Sequence, residues 1–187
     1  MKIMQVIHKD NLEQYSNYRN IVDTIISIIP IFKDKNIEIN INNRIEQFYS
    51  GYELNFKQKE FMYYLNLGVE SVNNKYSNIV FDINDLLNYF NMYNIEDNLI
   101  NRWIFFVLHE LGHTEYYIKY YTSVRNTRKM NLIEENQNNM LHMAFPVNSI
   151  KQDLNLYYLK SVELYANQFA YRYFPYIWNI LKERGLI

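Results

Sequence analysis

Apolar residues recur at two different spacings in the first half of the chain. From Leu12 to Ile29 they fall at steps of three and four, which predicts an amphipathic helix that ends at Pro30. Residues 36–41 (NIEINI) alternate polar and apolar, which is typical of a half-buried strand. Residues 56–74 are ambiguous, because Phe61, Leu65, Val69 and Val72 fit a helix whereas the run FMYYLNL could be a strand. The pattern therefore predicts a mixture of helices and strands.

Helical spacing dominates the middle of the chain. A short strand is predicted at 77–83 (SNIVFDI), followed by a helical segment that reaches about Phe90. A long helix is predicted from about Glu96 to Tyr121, since the acidic pair Glu96 and Asp97 suits a helix N-terminus.

Residues 123–150 are predicted to form a long irregular excursion, because they are rich in Asn and mixed in charge. A last helix is predicted from about Ile150 to Tyr173, where Pro175 interrupts it before a short amphipathic tail. With only 4 Gly and 3 Pro and no repeat, nothing marks a domain boundary. The prediction is one mainly helical α+β domain over residues 1–187, with a small sheet beside the long helix and the last helix behind it.

The composition of the chain gives no indication of a nucleic-acid-binding or membrane-spanning protein, and it limits the residue types that could bind a metal. The 19 Lys and Arg nearly balance the 20 Asp and Glu, so no basic face indicates a nucleic-acid partner. The strongest apolar run, Ile21 to Phe32, contains Asp23 and Pro30 and is too short to span a membrane. The first ten residues do not resemble a signal peptide, so we expect a soluble, cytoplasmic protein. Because the chain has no Cys, any metal site must use His and carboxylate ligands.

The segment FFVLHELGHT lies within the predicted long helix and carries the main chemical signal. His109 and His113 are one helical turn apart, so both imidazoles leave the same face and can bind one metal ion. Glu110 stands where it can act as a general base towards a water molecule at that ion. Random order would produce this H-E-x-x-H spacing about 0.006 times in such a chain, which favours a metal site over two ordinary core histidines.

A catalytic zinc site usually has three protein ligands and one water molecule, so a third ligand is needed. The longer pattern that continues to a third histidine is excluded, because Tyr116 and Lys119 occupy its glycine and histidine positions. The other two histidines are His8 and His142. His142 lies in the irregular excursion, where we expect a surface residue.

A carboxylate is the better candidate for the third ligand, and Glu163 in SVELYANQFA is the one we favour. Glu134 and Glu135 are weaker rivals, since their surroundings resemble a solvated loop. Small residues near Glu163 would allow its helix to approach closely, and Asn167, one turn beyond, could hydrogen-bond a ligating histidine. The small residues are Ala166 and Ala170 on this helix and Gly112 on the other.

The phrase HELGH followed by ELYANQFA resembles the gluzincin pattern, in which HExxH on one helix is followed by ExxA on a later one. In detail it looks most like the ImmA/IrrE family of metallopeptidases, with a Pro near the position of Pro175. The match covers about thirteen residues. It implies a zincin-like fold and zinc on His109, His113 and Glu163, with Glu110 as the base.

Glu163 follows His113 by 50 positions, a longer spacing than we expect for that family. The lethal-factor and Pro-Pro endopeptidase group tolerates such a gap, so the subfamily stays open. The first resemblance implies an intracellular endopeptidase that cuts a repressor or another regulatory protein. The second implies a host-directed protease.

Several functional details stay open at the level of sequence. The oxyanion of the transition state could be stabilised by Tyr157, Tyr158, His142 or backbone N–H groups. An extended protein or peptide substrate could add to the strand at 77–83, and the excursion at 123–150 could act as a lid or docking segment. An alternative of a different class is a non-catalytic zincin-fold module that binds metal without turnover.

Overall fold

The computed structural model describes residues 5–8, 13–43, 49–55, 60–69, 83–121 and 161–187. Several predictions lie outside these residues: the excursion at 123–150, nearly all of the strand at 77–83, and the first part of the last helix. The same holds for five residues considered for the site, which are Glu134, Glu135, His142, Tyr157 and Tyr158.

The described strands form one mixed four-stranded sheet. They are β1 (Gln5–His8), β2 (Asn36–Asn42), β3 (Tyr49–Asn55) and β4 (Glu60–Gly68), in the spatial order β1-β2-β4-β3. β2 is parallel to both of its neighbours, whereas β3 is antiparallel to β4. The strand predicted at 36–41 is confirmed. The ambiguous run FMYYLNL is a strand, so the helical alternative for it is wrong.

One face of the sheet is apolar and packs against the helices. Ile37, Ile39 and Ile41 of β2 lie beside Tyr63, Leu65 and Leu67 of β4 in register, and all six are buried. The opposite face carries polar side chains such as Asn40, whose amide donates to Asn66 Oδ1 at 2.9 Å. Because side chains alternate along a strand, this pattern fixes which face meets the core.

Four α-helices lie within the described residues: α1 (Ser16–Ile28), α2 (Ile83–Met92), α3 (Leu99–Tyr116) and α4 (Ser161–Glu183). α1 ends just before Pro30, as predicted. α3 contacts β3 and β4 on one side and packs most extensively against α4 on the other. The predicted α+β class, with a small sheet flanking the long helix and the last helix behind it, is therefore confirmed. No helix in the described part of the chain is long and apolar enough to cross a membrane.

The central helix α3 is buried along most of its length. Its N-terminus is capped by Asn98, whose side-chain oxygen accepts from the N–H of Asn101 at 2.9 Å. Residues 103–115 are all buried, including five polar ones, so this helix forms the middle of the core. After Tyr116 the helix continues as a π-helix over Tyr117–Tyr121.

The predicted interruption at Pro175 is wrong, because α4 runs through this residue without a break. Proline has no N–H to donate to the carbonyl of Tyr171 four residues earlier. The hydroxyl of Tyr89, on α2, donates to that carbonyl instead, at 2.5 Å. Burial raises the pKa of Tyr89, which keeps this hydroxyl protonated as a donor. A tertiary hydrogen bond thus replaces the helical one that proline removes.

Changing Tyr89 to Phe is therefore expected to lower the free energy of unfolding by about 1–3 kcal/mol, since the donor that replaces the missing N–H of Pro175 is lost. Urea unfolding of the variant and the wild type measures the difference. Tyr93→Phe is the matched control, because it removes an exposed hydroxyl one helical turn away. Equal effects of the two changes would mean that the Tyr89 hydroxyl does not support the helix at Pro175.

Candidate metal centre

Two histidines project from the same face of α3, as their spacing predicts. The Nε2 atoms of His109 and His113 lie 3.0 Å apart, and the two rings are perpendicular. Both side chains are buried between α3 and α4. An i, i+4 pair on a helix brings both nitrogens to one point, which is how such pairs bind a metal.

A carboxylate from α4 reaches the same point. Glu163 Oε2 lies 3.4 Å from His109 Nε2 and 3.3 Å from His113 Nε2. Ligand atoms bound at about 2.0–2.1 Å to one tetrahedral metal ion are themselves about 3.3 Å apart. The three atoms therefore form a triangle of the size that a tetrahedral ion requires.

The polar atoms of this triangle also fit a cation. Glu163 Oε2 is buried and makes no hydrogen bond to any residue that the structure describes, an arrangement that a bound cation would satisfy. Burial alone would raise the pKa of Glu163, but the two imidazoles beside it hold the pKa of this carboxyl well below its usual range. Glu163 is thus an anionic ligand candidate beside two nitrogen ligand candidates.

The amide of Asn167 orients one of the imidazoles. Its Oδ1 lies 2.8 Å from His109 Nδ1, which is the hydrogen bond expected from the sequence. An amide oxygen only accepts, so Nδ1 carries a proton, and in the neutral ring Nε2 then presents its lone pair to the triangle.

Close contact between α3 and α4 brings Glu163 within reach of the histidines. A Cβ atom added to Gly112 would lie 2.7 Å from Ala166 Cα and 2.9 Å from Phe169 Cβ. Such distances are shorter than real Cβ contacts, so only glycine permits this crossing. The predicted roles of Gly112 and Ala166 in close packing agree with this geometry.

Glu110 completes the cluster. It is buried, and its carboxylate and the ring nitrogens of His109 and His113 all lie within 4.8 Å of one another. This buried cluster could hold a metal ion. A carboxylate at this distance is also close enough to act on a water molecule beside the ion.

Sequence reasoning missed a second polar contact between the two helices. The Tyr165 hydroxyl donates to Glu115 Oε2, and Lys119 Nζ lies 2.9 Å from the Tyr165 hydroxyl and 3.0 Å from Glu115 Oε1. Glu115 is buried, so these partners compensate its charge. Glu115 and Lys119 are an i, i+4 pair, and this spacing was the one local signal available.

Sequence reasoning also missed Tyr117 and Tyr52, two aromatic residues beside the cluster of His109, Glu110, His113 and Glu163. The ring of Tyr117 lies 6.4 Å from the ring of His113, with the planes only 20° apart. The ring of Tyr52, on β3, lies 4.9 Å from that of Tyr117. Tyr117 follows His113 by four residues, so the helical period could have placed it on this face.

The structure thus brings together His109, Glu110, His113 and Glu163, while the backbone of His8 lies in β1. No protein-family model, curated protein or solved structure matches this chain, so the metal centre is assigned from the geometry of its own residues.

Proposed function

We propose that the protein is a zinc-dependent endopeptidase of the gluzincin type, with His109, His113 and Glu163 as zinc ligands and Glu110 as the general base. The triangle of side-chain atoms, with edges of 3.0 to 3.4 Å, is the observation that carries the proposal. Two neutral imidazoles, one anionic carboxylate and a place for water are the usual donor set of catalytic zinc.

The proposed chemistry divides between the ion and the chain. Zinc in such a site acts as a Lewis acid and lowers the pKa of a water molecule to about 7. Glu110 would take a proton from the attacking water as its oxygen bonds to the scissile carbonyl carbon, and would give it to the amine nitrogen as the C–N bond breaks. Asn167 fixes the orientation of the His109 ring through the 2.8 Å hydrogen bond. The oxyanion would be stabilised by Tyr157, Tyr158, His142 or backbone N–H groups.

The position of β3 supports a peptide substrate. Among the described strands β3 is an edge, paired only with β4, and it also contacts α3. An extended peptide could bind beside it as a further strand and so pass the metal centre. By the resemblance in its motifs, the substrate would be a repressor or another regulatory protein, or a host protein if the lethal-factor resemblance holds.

Elemental mass spectrometry of the purified protein tests the ligand set. We expect about one zinc per chain in the wild type and far less than one in Glu163→Ala, because even outer partners of a ligand contribute about 10–100-fold to metal affinity. Glu183→Ala is the matched control, since it removes an exposed carboxylate from the same helix.

Unchanged zinc in Glu163→Ala would assign the third ligand to another residue. A wild type that binds no zinc after reconstitution would contradict the proposal as a whole.

A further inference from the structure

The proposed metal centre is more open on one side than on the other. The side chain of His109 is 1% exposed, whereas those of His113 and Glu163 are 9% and 12% exposed. Within the part of the chain that the structure describes, the site is therefore more accessible from the side of His113 and Glu163. Side chains next to His113 on that side are the ones that a substrate would contact.

Two tyrosine rings lie beside His113. Tyr117 is nearly parallel to the His113 ring, and Tyr52 packs on Tyr117 at 4.9 Å with the planes 46° apart. Both tyrosines are only half-buried, so part of each ring is accessible. We call Tyr52 and Tyr117 the tyrosine wall.

The backbone changes its helical form where the tyrosine wall begins. The N–H of Tyr117 bonds to the carbonyls of both His113 and Thr114, and the π-helix starts at this residue. Single π-helical turns within α-helices are frequent at functional sites.

The register of β3 relates the tyrosine wall to an extended substrate. Tyr52 pairs with Tyr63, which is buried, so Tyr52 projects from the inner face of the sheet towards α3. Residues directly opposite on neighbouring strands have their side chains on the same face, about 4.5–5.5 Å apart at Cβ. A peptide that adds beside β3 would therefore place one inward side chain against Tyr52 and Tyr117.

We propose that the tyrosine wall is a specificity subsite of the proposed peptidase and that it binds an aromatic side chain of the substrate next to the scissile bond. This inference rests on the proposed function. Tyrosine faces and edges favour aromatic partners in tilted or edge-to-face contact, which is the geometry that the two rings already adopt with each other. The substrate class is thus an extended peptide with Phe, Tyr or Trp near the cleaved bond.

The test uses the full chain with zinc and a set of peptides that carry either Phe or Ala at each position in turn. At one position, we expect the wild type to favour Phe over Ala in kcat/KM by at least about tenfold. Tyr117→Ala and Tyr52→Ala should bring this ratio close to one, and Tyr117→Phe should keep it. Tyr176→Ala, which removes an exposed tyrosine from α4, should also keep it.

A purely structural role would lower kcat/KM for both peptides and leave the ratio unchanged, which would overturn the inference. A ratio near one in the wild type at every position would overturn it too.

A binding measurement separates this inference from the proposed function. Fluorescence anisotropy of the labelled Phe and Ala peptides is measured on Glu110→Gln with zinc, with and without Tyr117→Ala. In one outcome the wild type cuts no peptide, yet the Phe peptide binds about tenfold more tightly than the Ala peptide and Tyr117→Ala removes this difference. The peptidase proposal then fails, and the tyrosine wall stands as a peptide-binding site. If peptides are cut but the Phe/Ala ratio of kcat/KM does not change in Tyr52→Ala and Tyr117→Ala, the peptidase proposal stands and the subsite fails.

Discussion

Glu110→Gln is expected to abolish peptide hydrolysis while zinc stays bound. The amide has nearly the same size as the carboxylate but cannot take the proton of the attacking water. A general base contributes about 10²–10⁴-fold to the rate, so turnover should fall by about that factor. Zinc should remain, because the proposed ligand triangle is formed by His109, His113 and Glu163. Zinc content and hydrolysis of a peptide library are measured on the same preparations.

Glu183→Gln serves as the matched control for this change, since it alters an exposed carboxylate far along α4. Cleavage that survives in Glu110→Gln would rule out Glu110 as the base. Loss of zinc would instead make Glu110 a ligand, which its place within 4.8 Å of both histidines would permit. A wild type that holds zinc but cuts nothing would favour the non-catalytic metal-binding module.

Gly112→Ala should disrupt both the fold and the metal centre. Alanine is favoured over glycine in a helix by about 1 kcal/mol, so propensity alone would make the variant more stable. The new methyl group, however, would lie 2.7 Å from the backbone of Ala166, which cannot move without shifting α4. Overpacking of this kind costs about 1–3 kcal/mol or more. We expect the steric effect to prevail, with a net loss of about 1–2 kcal/mol in the free energy of unfolding measured in urea.

The same variant should bind zinc about 10–100-fold more weakly, because α4 carries Glu163 away from the histidines when it shifts. Gly51→Ala is the matched control. Its added methyl group would also overlap a neighbour, but that neighbour is the end of the Tyr64 side chain, which can rotate aside. A Gly112→Ala protein with unchanged stability and zinc affinity would show that close helix contact is not required.

The parts of the site that depend on helical period were predictable from the sequence. His109 and His113 share a face, and so do Glu163 and Asn167, because residues four apart on a helix are neighbours. The distance between these two faces was not predictable in the same way. It depends on the contact of Gly112 with Ala166, and small residues indicate only that a close approach is possible.

The errors in the fold prediction come from interactions between distant parts of the chain. The hydroxyl that sustains α4 at Pro175 comes from Tyr89, which precedes its acceptor by 82 residues, and no local pattern reveals it. The strand β3 was not predicted, since Gly51 weakens the local preference for a strand. Pairing with β4 makes it a strand, and the Tyr64 ring covers the glycine.

The position of Glu163 has a consequence for the unfolded chain. Glu163 follows His113 by 50 positions in the sequence, and the protein has no cysteine that could close a loop of this length. If a metal ion stayed bound to both residues in the unfolded chain, it would act as a cross-link, and the chain-entropy model assigns about 4 kcal/mol to closing a loop of that size. The proposed centre would then have the role of a disulfide, because it would link the C-terminal helix to the middle of the chain.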